Sequence, residues 1–344
     1  MGGRIVGLAL LALCGGSSCR PELLQGDTAA EAIEETVRTD PLPSWNDRQA
    51  KRTIVDFVEH VTADGGPEYV PPERRIAVFD NDGTLWGEQP VYVELAFALD
   101  RVKALAPVHP QWRERPALAA AIDGDLDALA ATGPQGAVEL LAATHAGMTT
   151  EDFERTVRDW IETAKHPMLG VRYSDLAYKP MLEVLRYLDG HGFKTFIVSG
   201  GGVEFMRPWA EKVYGIPRER IIGSRGKLEY EPRDGKPALV KEPEIELVDD
   251  GPGKPVGIQA LIGRRPIVAF GNSDGDFQML EWTTSQEGPH LGVLIHHTDG
   301  NREWAYDRDS KIGKLSRGLD EAGSRGWVVV DMKQDWRAIY GGKR

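Results

Sequence analysis

Two carboxylates stand two residues apart in Val78-Phe79-Asp80-Asn81-Asp82-Gly83-Thr84-Leu85, directly after an apolar run and ahead of a glycine. Acids at the carboxyl end of a buried strand lose much of their hydration, and a cation has to offset that loss. A hard divalent ion such as magnesium, which prefers oxygen ligands, meets the requirement. One oxygen of Asp80 can then face the metal while the other attacks phosphorus, forming an acyl-phosphate by carboxylate nucleophilic catalysis. Asp82 can serve twice. Its backbone carbonyl can join the metal sphere, and its side chain can protonate a leaving oxygen and afterwards deprotonate water.

These groups need a frame. Ile76-Ala77-Val78-Phe79 is the unbroken apolar stretch expected of a central parallel strand buried on both faces. Before it, Asn46 or Asp47 is placed to cap a helix whose apolar positions Ile54, Phe57, Val58 and Val61 recur at helical spacing. Residues 90–169 give helices without strands, over 92–105, 117–131, 137–146 and 150–165; in the last, Phe153, Val157, Trp160, Ile161 and Ala164 share a face. Alternation then resumes with helix 180–188, strand 194–198, helix 203–214, strand 220–223, helix 255–262 and strand 267–270. Further strands are expected at 291–295 and 327–330, and a charged β-hairpin over 227–240 turning at Asp234-Gly235. The expected class is α/β: a parallel sheet flanked by helices over 46–89 and 170–344, interrupted by an all-helical subdomain over 90–169.

With Asp80-Asn81-Asp82-Gly83-Thr84 closing such a strand, the chain resembles phosphatases of the haloacid dehalogenase (HAD) superfamily, and phosphoserine phosphatases in layout. The resemblance spans roughly residues 75–300 and implies a Rossmann-like core, a helical cap between the first and second motifs, and dependence on Mg2+. For the second motif it implies Ser199-Gly200-Gly201-Gly202, a hydroxyl and open N–H groups, with Ser199 and Gly200 gripping the phosphoryl group. The third motif supplies a cation; Lys254, opening a helix, is the choice, with Lys236 and Lys241 as rivals. The fourth is Gly271-Asn272-Ser273-Asp274-Gly275-Asp276, and there the chain departs from the pattern. Asn272 stands where most relatives carry an acid, so its amide oxygen can coordinate without neutralising charge. The implied metal set is Asp80, Asp82, Asn272 and Asp276, the last through metal-bound water, with Asp274 as an extra carboxylate able to compensate. Glu88 lies near the place where phosphoserine phosphatases carry a Glu that contacts the substrate amine; Trp86, Tyr92 and Arg172 are further candidates for the pocket.

Each residue also has a plainer use. Asp80 and Asp82 suit a solvated turn, Ser199 a helix cap, Lys254 a solvated side chain, and Asp274 and Asp276 a helix amino end. Their order along one chain favours the chemical reading. His296-His297 point to opposite faces of a strand and cannot chelate one ion without a bend. The aromatic and charged residues from Arg302 to Arg308 suit packing or an exposed flap better than base stacking.

Four functions compete: hydrolysis of a small phosphate monoester through an aspartyl-phosphate on Asp80, phosphoryl transfer to an alcohol, ester binding with little turnover, and carbon–halogen hydrolysis. The last needs no leaving-group protonation, and so no Asp82. A formal net charge of -12 disfavours nucleic acid and anionic lipid as partners, and 41% hydrophobic content excludes disorder as the main state. Arg4 and the apolar run 5–14 read as an export signal over 1–19, giving a periplasmic or envelope location. Gly15-Gly16-Ser17-Ser18 precede Cys19, which is either the lipidated residue of a lipoprotein and the route of membrane attachment, or a neighbour of a plain cleavage site. Residues 20–45 read as a polar linker; both cysteines, Cys14 and Cys19, lie before it, so no thiol chemistry is expected in the globular part.

Overall fold

The computed structural model describes residues 40–341 with the exception of 234. The leader, Cys14, Cys19 and most of the linker lie outside the described residues. The linker expected to reach residue 45 is already structured at its end: Leu42 and Trp45 are fully buried. Ser44 explains the anchoring, since its N–H and Oγ donate to the Glu183 carboxylate at 2.8 and 2.6 Å. Trp45 Nε1 donates to the Pro180 carbonyl at 3.1 Å.

Helix α1 (Gln49–Thr62) follows, turning Ile54, Val58 and Val61 into the core. Neither Asn46 nor Asp47 caps it; Arg48 holds the cap position, and Asn46 Nδ2 donates instead to the Gln334 carbonyl. Strand β1 (Ile76–Phe79) is buried along its whole length. Its side chains alternate between two cores, Ala77 and Phe79 entering one and Ile76 and Val78 the other, as a strand covered by helices on both faces must.

Helices α2 (Val93–Leu105), α3 (Pro116–Asp123), α4 (Leu126–Ala131), α5 (Gly133–His145) and α6 (Thr150–Thr163) come next, a helical insertion before the second strand. The helix expected over 117–131 is two, because Asp125 caps α4 by accepting the Ala128 N–H at 2.9 Å. Ala98, Leu99, Val102, Trp112, Leu118 and Leu140 give the insertion its own apolar core. Phe153, Val157 and Ile161 of α6 instead join the main core, and Phe153 and Trp160 also meet Phe97 of α2 edge-on at 5.9 and 5.4 Å, so this helix ties the insertion to the main core.

The remainder alternates: α7 (Lys179–Gly190), β2 (Lys194–Gly202), α8 (Val203–Met206), α9 (Ala210–Tyr214), β3 (Ile221–Arg233), β4 (Lys236–Leu247), α10 (Gly253–Leu261), β5 (Val268–Gly271), α11 (Phe277–Thr284), β6 (Leu291–Thr298), β7 (Ala305–Tyr306), α12 (Arg317–Arg325), β8 (Val328–Asp331) and α13 (Met332–Asp335). Pro208 falls between α8 and α9, where one helix was expected over 203–214. The sheet order is β4-β3-β2-β1-β5-β6-β7, with β8 also pairing β6. β3 does two things: residues 221–224 pair parallel to β2, and the rest runs out antiparallel to β4 as a hairpin longer than the one expected over 227–240.

β1 lies between β2 and β5, parallel to both, with Phe79 level with Ile197 and Phe270. The chain winds from β1 toward β3 on one side and from β5 toward β6 on the other, which makes the ends of β1, β2 and β5 the switch point where ligands collect. Among the described residues no helix is long and apolar enough to cross a membrane.

Candidate active site

Asp80 is fixed as β1 ends: its N–H donates to the Phe270 carbonyl at 2.9 Å. The chain then folds back, the Asn81 carbonyl accepting from the Thr84, Leu85 and Trp86 N–H groups. Gly83 makes the turn with φ 74°, and a Cβ there would collide with the Asn272 side chain and the Glu88 carboxylate, so both conformation and space require glycine.

At the end of β2 the register with β3 slips between Ser199 and Gly202, re-aiming the backbone. The Gly201 N–H donates to Ser199 Oγ at 3.1 Å, and the Gly202 N–H to Glu94 Oε2 at 2.6 Å. Lys254, in the first turn of α10, is fully buried and donates to Asp80 Oδ1 at 2.6 Å, Asp276 Oδ1 at 2.5 Å and the Val198 carbonyl at 3.0 Å. Its rivals are elsewhere: Lys241 pairs with Glu204 and stands over the Phe153 ring, and Lys236 is exposed on the hairpin. Asp80, Asp82, Glu88, Tyr92, Ser199, Gly200 and Lys254 thus line one cavity of about 390 Å³ between the sheet and the helical insertion.

Charge in this cavity is unbalanced. Burial, then the neighbouring Asp276, pushes Asp80 well above the usual carboxylate range, against the pull of Lys254. Burial also raises Asp82 and Glu88. It pulls Lys254 down, but Asp276 and Asp80 outweigh it and hold the ammonium above its ordinary value. Asp82 Oδ1 accepts from Trp86 Nε1 at 2.8 Å, and Glu88 Oε1 from Tyr306 and Asn272, so the hydrogen-bond partners of both acids are neutral.

Among the described residues no three His, Cys, Asp or Glu stand ready as a metal cluster. Two of the four expected ligands account for that: position 272 is an amide, and Asp276 is turned away. Asp276 Oδ1 takes Lys254, and Oδ2 accepts the N–H of Asn272 and Ser273 and the Ser273 hydroxyl, so this carboxylate braces the lysine and the turn. Asp274, expected as the compensating acid, accepts N–H groups of Ser316, Arg317 and Gly318 at the start of α12 instead. What could hold an ion is Asp80, the Asp82 carbonyl and the Asn272 amide oxygen, and these oxygens with surplus buried negative charge suit a hard divalent cation.

Other expectations scatter. Arg172 is exposed, pairs with Asp175 and lines a different depression. Trp86 is buried beneath the turn, stacked on Trp209 at 4.3 Å, and orients Asp82 rather than facing the cavity. His296 and His297 do diverge: His296 meets Asp307, while His297 Nε2 lies 2.8 Å from the Gly83 carbonyl and supports the turn. Glu94 was missed. It reaches the second motif from α2 and is pushed up to about 7 by burial, yet in sequence it reads as an acid at a helix amino end.

The haloacid dehalogenase-like hydrolase family model matches residues 77–281, more than half of the chain, and the chain belongs to that family. A conserved protein of unknown function from Anaerococcus prevotii shares the fold with TM-score 0.51 and 16% identity, over 76% of this chain and 89% of that one. A protein of unknown function from Bordetella pertussis Tohama I is 18% identical over 75% of this chain and 99% of that one, with TM-score 0.44. A phosphoserine phosphohydrolase-like protein from Francisella tularensis is 18% identical over 73% and 98%, with TM-score 0.37. No curated protein matches the sequence.

Proposed function

We propose that this hydrolase is a phosphomonoesterase for a small phosphorylated metabolite, using Asp80 as nucleophile. The observation that carries the reading is Lys254 Nζ held 2.6 Å from Asp80 Oδ1 on the wall that Ser199 and Asp82 share. The ammonium takes one carboxylate oxygen and leaves Oδ2 of Asp80 for phosphorus. Ser199 Oγ already accepts the Gly201 N–H, so its own hydrogen is left to donate, and with the Gly200 N–H it grips the phosphoryl oxygens. As the Asp80–phosphorus bond forms and the ester bond breaks, Asp82 gives its proton to the leaving oxygen. Burial raises Asp82 and favours the proton-bearing form, while Trp86 fixes Oδ1 and leaves Oδ2 for transfer. Asp82 then takes a proton from water that attacks the aspartyl-phosphate, releasing phosphate and restoring Asp80. Magnesium, held by Asp80, the Asp82 carbonyl and Asn272, would supply charge neutralisation for the incoming phosphate.

Purified protein is expected to hydrolyse a chromogenic aryl phosphate, with turnover lost on chelation, restored by magnesium, and absent in Asp80→Asn. Turnover equal to that of Asp80→Asn would overturn the reading. A phosphate-metabolite screen with Asp80→Asn as blank identifies the substrate class, and added alcohols reveal transfer in place of hydrolysis. Export belongs to the same proposal: the mass of the mature amino terminus separates a lipidated Cys19 from simple cleavage.

A further inference from the structure

We propose that Glu88 supplies the metal site with the negative charge that Asn272 withholds, so that the acid missing from the end of β5 has been moved to the loop after β1. The proposal rests on the metal reading above and goes beyond it.

Asn272 Nδ2 donates to Glu88 Oε1 at 2.8 Å, and Thr84 Oγ1 donates to Asn272 Oδ1 at 3.0 Å. A carboxylate only accepts, so Glu88 selects the amide nitrogen and turns the amide oxygen toward Thr84. An Asp at position 272 would set two carboxylates within hydrogen-bond distance of each other. The amide and the glutamate are therefore a matched pair: the chain that carries Glu88 here needs a neutral donor opposite it.

The molecule makes room for this carboxylate. A Cβ on Gly83 would collide with Glu88 Oε1 and Asn272, and a Cβ on Gly313, at φ 64°, would collide with Glu88 Oε1 and the Tyr306 ring. Tyr306 Oη donates to the same oxygen at 2.7 Å. Glu88 is only 2% exposed and lines the cavity of Asp80 and Asp82. Its two donors orient it without neutralising it, and Lys254, on the same cavity, is taken up by Asp80 and Asp276. A buried carboxylate held in this way calls for a cation. A substrate amine, which the resemblance suggested for Glu88, is the rival occupant.

Magnesium binding to the full chain without substrate, followed by isothermal titration calorimetry, tests the assignment. Glu88→Gln is expected to weaken binding 10- to 100-fold with its melting temperature in chelator no lower than that of the wild type. Adding Asn272→Asp to Glu88→Gln is expected to restore affinity to within a few-fold. Wild-type affinity in Glu88→Gln, or no gain in the double variant, overturns the proposal and leaves the phosphatase reading standing. An unchanged magnesium affinity with KM raised only for amine-bearing phosphates assigns Glu88 to the substrate and overturns it too. No binding by wild type removes this proposal together with the metal reading.

Discussion

Lys254 concentrates the electrostatics of the site in one side chain. Its raised pKa means that its ion-pair stabilisation is complete below the ordinary lysine value of 10.5 and is lost only as pH rises through the higher folded value. Between pH 6 and 9 the lysine is therefore constant. Lys254→Met is expected to cost about 3–5 kcal/mol in urea unfolding at neutral pH, because Asp80 and Asp276 are left buried without their cation. The loss should shrink on acidification, as the raised Asp80 takes up a proton; a pH-independent loss would assign the effect to packing. Asp80 and Asp82 were legible in sequence because their chemistry is written in two letters only two positions apart. Compensation for Asn272 was not. Asp274 was the natural candidate at two residues' distance, whereas Glu88, 184 residues away, is the acid in contact. Proximity along the chain is a poor guide where a turn folds back on a distant strand.

Between elements, Glu94 is the tie that joins α2 of the insertion to the glycine run ending β2. Its pKa is raised from 4.5 to about 7 by burial, so the folded state holds this proton longer than the unfolded chain. Stability from this group is highest below 4.5 and declines as pH rises across 4.5 to about 7. Glu94→Gln removes that slope, and its melting temperature relative to wild type is expected to be higher at pH 8 than at pH 5. The difference should be on the order of 1–2 kcal/mol, because the side chain keeps 20% of its surface and is partly screened. Equal shifts at both pH values would place Glu94 in water. The elements themselves were readable where one pattern ruled: Ile76 to Phe79 for a central strand, Phe153, Val157 and Ile161 for an amphipathic helix. Joints were less so, since Asp125 and Pro208 cut periodic stretches that look continuous, and β3 changes partner midway.

Across the whole molecule, the segment at 41–46 is held by the segment at 334–340. Asn46 N–H donates to the Asp335 carbonyl at 2.8 Å, Arg337 N–H to the Ser44 carbonyl at 2.7 Å, and Trp45 meets Trp336 edge-on at 5.8 Å. Sequence reading put Leu42 and Trp45 in a tether because two apolar residues among prolines carry no periodicity, and the partners of this segment lie far along the chain, at Pro180, Glu183 and 334–340. Trp45→Ala is expected to lower stability by about 3–5 kcal/mol in denaturant unfolding, the usual cost of emptying a buried indole site. A loss under 1 kcal/mol would mean that the segment is peripheral.

That mutual grip also sets an order of events during synthesis. The strands at the centre can pair while translation continues, and Trp45 can reach Pro180, but its face toward Trp336 stays uncovered until residues 334–340 have left the ribosome. Ribosome-held chains ending near residue 330 should be cut by protease near Trp45, whereas released protein should resist cleavage there. Any early stop in the last helix would leave a nearly complete enzyme with its front edge unlatched.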